Sequence, residues 1–273
     1  MTNDIRRIAA EAGEAIMKTY DGPAEVETKE DDSPLTQADR AAHDCIVDAL
    51  AKLTPDIPVL SEESEGIPIE ERLSWKRFWL VDPLDGTKEF IKKTGQFTVN
   101  IALIESGEPT LGVVLAPASD LEYFASQGNG AFKRLGQAEP VAIHVSEADK
   151  VRLRIVASRD HAGPKVAAML EKLPGAELVS MGSSLKFCLV AEGAADLYPR
   201  FVPTMEWDTG AAQCILEEAG GAICTLNGYR LAYGREDLRN PSIVAAGHPA
   251  IDWKSLITSN YAKFRLTKRG NAN

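Results

Sequence analysis

The chain has 273 residues, of which 44% are hydrophobic and 26% are charged. This composition is typical of a globular protein with one large domain or two closely joined halves. The formal net charge of −10 and the lack of a long basic stripe argue against broad nucleic-acid binding. No stretch approaches the roughly 20 apolar residues of a membrane span.

The amino-terminal segment has no apolar run ahead of a small-residue cleavage site, so we expect no signal peptide. We therefore expect a cytoplasmic protein, with peripheral attachment to the inner face of the membrane left open. Its oligomeric state is expected to be a monomer or a homodimer. The cysteines are scattered and form no CxxC pair, which favours small buried hydrophobes over a metal or redox site. They are Cys45, Cys188, Cys214 and Cys224.

In the first half, apolar residues at helical spacing predict an opening helix. The face consists of Ile5, Ile8, Ala9, Ala12 and Ile16. Thr36 is a candidate N-cap for a second helix. Short strands are predicted at 57–60 and 77–81, then two long strands within 97–117 joined by a Gly-Pro turn. A hairpin within 121–135 should turn at residues 128–130.

The second half alternates strands with helices. The strands are expected at 153–158, 177–181, 195–200 and 222–226, and the helices at 162–173, 184–192 and 208–219. This order predicts an α/β fold with an α+β amino-terminal half and a layered α/β carboxy-terminal half. A polar crossing over 137–150 suggests subdomains 1–148 and 149–273, the first with most of the acidic site residues and the second with Asp208.

Acidic residues stand at the ends of predicted elements. Asp82 and Asp85 follow a buried strand in "WLVDPLDGT", Glu62 lies in "LSEES", and Asp208 opens a predicted helix. Structural interpretations exist for each: Glu62 can belong to a solvated loop, Asp208 can cap its helix, and Asp39 can close a capping box with Thr36.

The Asp82–Asp85 pair is harder to explain structurally, because a buried carboxylate needs a cation, a proton or specific donors. Carboxylate oxygens favour Mg²⁺, Mn²⁺ or Ca²⁺, and the four histidines are too dispersed to compete as a metal site. Two such ions about 4 Å apart can activate water and stabilise a phosphoryl displacement. The hydroxyl of Thr87 is placed to orient that water.

Haloacid-dehalogenase-type phosphatases also place an aspartate nucleophile after a buried strand, in a D-x-D-x-T pattern. Here the spacing is D-x-x-D-G-T. Strand alternation would turn the second aspartate in a different direction from the one that this mechanism needs, so we reject a covalent aspartyl-phosphate.

The ordered set "SPLTQAD", "LSEES", "DPLDGT" and "WDTGAA" resembles the inositol monophosphatase superfamily of lithium-sensitive, magnesium-dependent phosphatases. The resemblance implies a layered αβαβα sandwich and two or three Mg²⁺ ions per site. It also implies the metal ligands, which are Glu62, Asp82, the Leu84 carbonyl, Asp85 and Asp208. Asp39, Thr87 and Glu62 would hold and deprotonate the attacking water.

Three stretches are similar to a narrower group, the CysQ-type 3'(2'),5'-bisphosphate nucleotidases. They are "WLVDPLDGTKEFIKKTGQFTVNIALI", "GSSLKFCLVAEG" and "LYPRFVPTMEWDT". This resemblance implies hydrolysis of the 3'-phosphate of adenosine 3',5'-bisphosphate to AMP and phosphate. The implied substrate contacts are Gly86, Thr87, His161, Gly182, Lys186 and Asp208, with Arg159 and Arg200 as further phosphate ligands.

Two alternatives keep the same fold. The first is an inositol or sugar monophosphate phosphatase, which the Lys88-Glu89-Phe90 segment and "GSSLK" disfavour. The second is a non-catalytic metal- or nucleotide-binding module. That module would be expected to lack Asp39, Thr87 or a ligand, and this chain retains all of them.

Overall fold

The computed structural model describes residues 1–22, 26–28, 34–147, 152–157, 164–173 and 175–256. Its helices are α1 (Thr2–Tyr20), α2 (Gln37–Leu53), α3 (Ile69–Ser74), α4 (Thr87–Ile91), α5 (Pro164–Leu170), α6 (Leu185–Ala191) and α7 (Gly210–Glu218). Its first strands are β1 (Val26–Thr28), β2 (Pro34–Thr36), β3 (Val59–Ser61), β4 (Arg77–Asp85) and β5 (Thr98–Glu105). The others are β6 (Glu108–Ala116), β7 (Leu121–Ser126), β8 (Ala131–Leu135), β9 (Val141–Ile143), β10 (Arg154–Ala157), β11 (Glu177–Ser180), β12 (Leu197–Arg200), β13 (Ala222–Thr225) and β14 (Ile243–Ala246).

The first large sheet has seven strands in the chain order β3 to β9. Only the pairing of β3 with β4 is parallel in this sheet. The helices α1 and α2 cover one face and form a core with the outward side chains of β4 to β6. The isoleucines of α1 at positions 5, 8 and 16 are fully buried there, because their helical spacing places them on one face.

The second sheet has five strands in the order β11-β10-β12-β14-β13. It is mixed, since β10 pairs in parallel with β11 and β12 while β14 pairs antiparallel with β12 and β13. The helices α6 and α7 lie between the two sheets in one continuous core. Apolar residues of α5 and of the segment around Trp253 cover the far face. The order of layers is therefore αβαβα, as the resemblance implies.

Close packing brings the second half of the chain onto the first sheet. A Cβ atom at Gly112 of β6 would lie 2.3 Å from the carbonyl oxygen of Ala211, so only glycine allows α7 to approach β6 this closely. The helix α7 packs on β5, β6 and β7. Asp208, two residues before α7, is thereby carried to the strand that bears Asp82 and Asp85. Since both halves share this core, the division at residue 148 stays a prediction.

Several predicted elements are confirmed, with shifted ends. The hairpin turns at residues 127–130, where Gly128 and Gly130 have positive φ. Thr36 is the N-cap of α2 and accepts a hydrogen bond from the Ala38 N–H. The predicted Gly-Pro turn is wrong: β5 and β6 are joined at Ser106 and Gly107, and Pro109 pairs with Ile104 inside the ladder. The predicted helix 208–219 is a 3₁₀ turn over Glu206–Asp208 followed by α7.

Six elements were not predicted, namely β1, β2, α3, α4, β9 and β14. All six are short segments of three to six residues, for which periodicity is a weak signal. In the described part of the chain, no helix is both long enough and apolar enough to cross a membrane. The four cysteines are free thiols, two of them buried and two half-buried.

Candidate active site

A β-bulge in β4 brings Asp82 and Asp85 together. Asp82 is opposite Asn100 and Asp85 is opposite Thr98. Between these two pairs, β4 contains one more residue than β5. Residues three apart on a regular strand face opposite sides, and one extra residue restores the same side. The side-chain alternation of a regular strand, which we expected to turn Asp85 away from Asp82, is therefore interrupted in this segment.

Asp208 reaches the same place from the second half of the chain. It ends the 3₁₀ turn, and its Oδ2 accepts a hydrogen bond of 2.7 Å from the Met205 N–H. Glu206 of the same turn is fully buried and forms an ion pair with Arg235, which stabilises the turn. The amide of Asn240 donates to the Met205 carbonyl on the same turn. The interpretation of Asp208 as the cap of the following helix is wrong, because the N-cap of α7 is Thr209; Asp208 instead closes the preceding 3₁₀ turn through Oδ2.

The three aspartates form one cluster of negative charge. One oxygen from each of Asp82, Asp85 and Asp208 lies within 4.8 Å of the others. Asp82 is 1% exposed, and among the described residues no lysine, arginine or histidine forms a salt bridge with any of the three. Burial, and then the charges of Glu62, Asp85, Asp208 and Asp39, raise the pKa of Asp82. Burial and the charge of Asp85 also raise the pKa of Asp208.

This donor set fits magnesium. Clustered carboxylates without a basic partner require either protons or cations to offset their repulsion, and hard divalent cations prefer oxygen ligands. The cluster opens into a cavity of about 360 Å³. The lining residues are Glu62, Asp82, Leu84, Asp85, Gly86, Thr87, Lys88, Glu89, Pro203 and Asp208.

Glu62 lines this cavity from the edge of the sheet. The strand β3 ends at Ser61, and the Glu62 N–H continues the ladder with a 3.0 Å hydrogen bond to the Val81 carbonyl. The Ser61 hydroxyl lies 2.9 Å from Nδ1 of His43, one helical turn after Asp39 on α2. His43 therefore ties the helix that carries Asp39 to the strand that carries Glu62. Neighbouring Glu63 does not line the cavity.

Asp39 and Thr87 form a pair beside the cluster. Oδ2 of Asp39 accepts hydrogen bonds from the Thr36 N–H at 2.7 Å and the Thr36 hydroxyl at 2.6 Å. The Thr87 hydroxyl lies 3.2 Å from Oδ1 of Asp39 and 3.3 Å from the Leu84 carbonyl oxygen. Asp39 therefore closes the capping box with one oxygen and contacts Thr87 with the other.

Gly86 sets the direction of the chain at this point. Its φ is +94°, and a Cβ atom there would lie 3.2 Å from the Gln96 carbonyl oxygen. Only glycine adopts this backbone at no steric cost. The next residue, Thr87, begins α4, so the chain turns at once from β4 into a helix and returns the threonine hydroxyl toward Asp39.

The predicted substrate residues fall into three groups. Lys186 lies on α6 and is 7% exposed, and the charges of Asp85, Asp208 and Arg200 all affect its pKa. Gly182 lies near the site, but its N–H donates to the side chain of Gln96, and a Cβ would clash with Gln96. Gly182 is therefore explained by packing. His161 and Arg159 lie outside the described residues.

Sequence reasoning missed two serines inside the quoted "GSSLK" segment. Ser183 has a φ of +46°, which is uncommon for a non-glycine residue, and its buried hydroxyl has no hydrogen-bond partner among the described residues. Ser184 contacts Asp85 directly. No sequence pattern identifies either residue, because the contacts of both are set by the conformation of the loop that leads into α6.

A sequence model of the inositol monophosphatase family matches residues 1–262. The 3'(2'),5'-bisphosphate nucleotidase CysQ of Salmonella typhimurium is 48% identical over 244 residues, which are 88% of this chain and 97% of that protein. The CysQ of Aggregatibacter actinomycetemcomitans is 41% identical and covers 95% of this chain and 97% of its own length. The crystal structure of CysQ from Bacteroides thetaiotaomicron superposes with a TM-score of 0.79 at 40% identity, covering 90% of this chain and 96% of that one.

Proposed function

Because the chain belongs to the inositol monophosphatase family, we propose that it is a magnesium-dependent 3'(2'),5'-bisphosphate nucleotidase. Its substrate is adenosine 3',5'-bisphosphate, and the products are AMP and phosphate. The observation that carries this proposal is the convergence of three carboxylates, which form no salt bridge with a described residue, beside the Asp39–Thr87 pair. The sequence identity of 48% and 41% with two CysQ nucleotidases, over 88% and 95% of this chain, supports the assignment of this substrate.

The metal ligands in this proposal are oxygen atoms from both halves of the chain. Glu62, Asp82, Asp85 and Asp208 contribute carboxylates, and Leu84 contributes its carbonyl. When bound, magnesium offsets the repulsion within the cluster, increases the acidity of water and stabilises the charge on the entering and leaving oxygens.

Asp39 and Thr87 prepare the attacking water. Since Oδ2 of Asp39 is occupied by Thr36, Oδ1 is the oxygen that accepts the Thr87 hydroxyl proton. The lone pairs of the Thr87 oxygen then accept a hydrogen bond from the water and aim it at the 3'-phosphorus. The proton lost by the water passes through Thr87 toward Asp39, with Glu62 as a second acceptor. The bond between phosphorus and the 3' oxygen breaks in line, the 3' oxygen takes up a proton from solvent to become the hydroxyl of AMP, and no covalent enzyme intermediate forms.

Basic residues of the second half meet the phosphate that is not cleaved. Lys186 lies next to the cluster, with its ammonium nitrogen 5.7 Å from the Tyr198 ring centroid. Nε of Arg200 is buried and has no hydrogen-bond partner among the described residues. Buried donors without partners are rare in proteins, and an anionic ligand would satisfy this one. We place the 5'-phosphate against Lys186 and Arg200.

Lys186→Met should raise KM for adenosine 3',5'-bisphosphate about 10- to 100-fold with little change in kcat. A hydrogen bond to a charged group contributes roughly 1.5–3 kcal/mol, and about 1.4 kcal/mol is tenfold in affinity. Steady-state kinetics on the bisphosphate and on adenosine 3'-monophosphate give the comparison. The monophosphate has no 5'-phosphate, so its KM should be nearly equal for the two proteins; an equal rise for both substrates contradicts the assignment.

The same lysine predicts a pH effect. Burial lowers the pKa of Lys186 to about 8, so the free enzyme loses this positive charge as the pH rises through that value. We expect kcat/KM of the wild type for the bisphosphate to decline above about pH 8, because kcat/KM reports the ionisation of the free enzyme. The Lys186→Met profile should lack this decline, and a decline of the same depth in the variant assigns it to another group.

The first experiment is phosphate release from adenosine 3',5'-bisphosphate, inositol 1-phosphate and fructose 1,6-bisphosphate, in Mg²⁺ with and without Li⁺. The proposal expects a strong preference for the bisphosphorylated nucleotide and inhibition by Li⁺. Preference for an inositol or sugar phosphate retains the metal chemistry and overturns the substrate assignment. No release from any substrate, together with tight nucleotide binding by calorimetry, points to a non-catalytic binding protein.

A further inference from the structure

One buried serine joins the two halves of the acidic cluster. Ser184 is 2% exposed and directly precedes α6. Both its N–H and its hydroxyl oxygen lie 2.6 Å from Oδ2 of Asp85. The same hydroxyl oxygen lies 2.8 Å from the backbone carbonyl oxygen of Asp208. Ser184 therefore touches one aspartate of the first half and the backbone of one aspartate of the second half.

The neighbours of this hydroxyl limit the direction of its proton. The Asn100 amide donates to the Ser184 oxygen at 3.0 Å, so the single hydroxyl proton is directed toward Asp85 or the Asp208 carbonyl. With the backbone N–H also on Oδ2, that oxygen of Asp85 is fully engaged. Oδ1 of Asp85 has no hydrogen-bond donor among the described residues, which leaves it as the oxygen that can bind a cation.

Such an arrangement is what a metal ligand needs from its surroundings. A carboxylate held by one oxygen keeps its rotamer and presents the other oxygen in a constant direction. Without the hydroxyl, the donors to Asp85 in the described part of the chain would be the backbone N–H and two long contacts of 3.5 Å from Thr98 and Asn100, a distance at the limit for a hydrogen bond. The carboxylate would then turn more freely in a cluster where its neighbours repel it.

We propose that Ser184 is a positioning residue for a cation that Asp85 and Asp208 would hold together, and that its hydroxyl sets the affinity of this position alone. This inference rests on the magnesium site of the proposed function. It gives Ser184 no contact with the metal or the substrate. A cation held mainly by Glu62 and Asp82 should not depend on it, because Ser184 contacts neither residue.

The test is Mn²⁺ binding, measured by the electron paramagnetic resonance signal of the free ion in titrations of the full chain. Ser184→Ala should weaken one class of Mn²⁺ sites about 10- to 100-fold, the range typical for loss of a partner that orients a metal ligand. The other class should stay within about threefold of the wild type. Ser184→Thr retains the hydroxyl and should restore most of the affinity.

Ser146→Ala is the matched control. The Ser146 hydroxyl donates to Oδ1 of Asp196 at 2.6 Å, the same kind of bond at the same length, but in a structural ion pair with Arg154. It should lose a similar amount of thermal stability and no Mn²⁺ affinity. Thermal melting of all variants separates loss of fold from loss of metal.

The outcomes separate the two proposals. A wild type that binds no Mn²⁺ overturns the metal site of the proposed function and this role with it. A wild type with normal binding and a Ser184→Ala variant equal to it overturns only the positioning role. Equal weakening of both classes of site also contradicts it, since Ser184 would then support the whole cluster rather than one position.

Discussion

Asp82→Asn is expected to lower phosphate release by about a thousandfold or more while the protein stays folded. Asp82 is the most buried member of the cluster and lies next to the other two carboxylates. Cation stabilisation of the reacting oxygens contributes several kcal/mol, and each 1.36 kcal/mol is a factor of about ten in rate. An amide is nearly the same size as a carboxylate but is a much poorer magnesium ligand.

The stability of the metal-free variant gives an independent readout. Burial and neighbouring acids raise the pKa of Asp82, so its contribution to folding is present at low pH and is lost as the pH rises through the folded-state pKa. A neutral asparagine avoids this loss. We therefore expect the Tm of metal-free Asp82→Asn to equal or exceed that of the wild type at pH 8, and the difference to narrow toward pH 5. Mg²⁺ should raise the Tm of the wild type more than that of the variant.

Asp56→Asn is the control for this change. Asp56 is exposed between α2 and β3, at the opposite end of β3 from Glu62, and does not line the cavity, so its replacement should leave both activity and Mg²⁺ stabilisation unchanged. A fully active Asp82→Asn enzyme would show that the cluster is not the catalytic centre. A variant that unfolds at pH 8 would instead mean that Asp82 supports the fold.

Thr87→Val should lower kcat about 100- to 10,000-fold and leave KM and Mn²⁺ affinity close to the wild-type values. Valine has nearly the same shape and lacks only the hydroxyl that links Asp39 to the attacking water. General acid–base catalysis contributes a factor of this size. No proposed metal ligand changes, so metal binding measured by calorimetry should be unaffected.

Thr94→Val provides a matched threonine just beyond the same helix. Its hydroxyl donates to the Glu89 carbonyl in an exposed turn, and its loss should change kcat less than twofold. If Thr87→Val retains more than a tenth of the wild-type kcat, the water is oriented by another group. If it loses Mn²⁺ affinity, Thr87 acts through the Leu84 carbonyl, which it also contacts.

The fold class followed from local patterns, because strands and amphipathic helices of ordinary length leave a periodic signal. The opening helix, the N-cap at Thr36 and the hairpin at 127–130 are all set by residues close in sequence. Errors occurred where distant contacts decide. The helix predicted from residue 208 is interrupted because Glu206, Arg235 and Asn240 hold a separate 3₁₀ turn.

For the candidate site, too, the residue types could be predicted from the sequence but their arrangement in space could not. Acidic residues at the ends of elements and the "DPLDGT" segment were visible in the sequence, since the chemistry of oxygen ligands depends on residue type. Their geometry was not visible. A regular strand would have turned Asp82 and Asp85 to opposite faces, and only the bulge opposite Thr98 and Asn100 brings them together. The close contact between Gly182 and Gln96 was not visible either, and the substrate contact of Gly182 stays a prediction.

By itself the sequence predicted an α/β class, the acidic residue set and the Thr36–Asp39 cap, since each depends on residue type and short-range spacing, whereas the αβαβα order of layers was implied by the family resemblance. The tertiary structure decided which side chains share one cavity. Asp208 meets Asp82 and Asp85 because Gly112 lets α7 approach β6, and Ser184 reaches Asp85 because α6 lies between the sheets. Contacts between residues about 100 positions apart depend on packing of whole layers, and no local pattern along the chain encodes them.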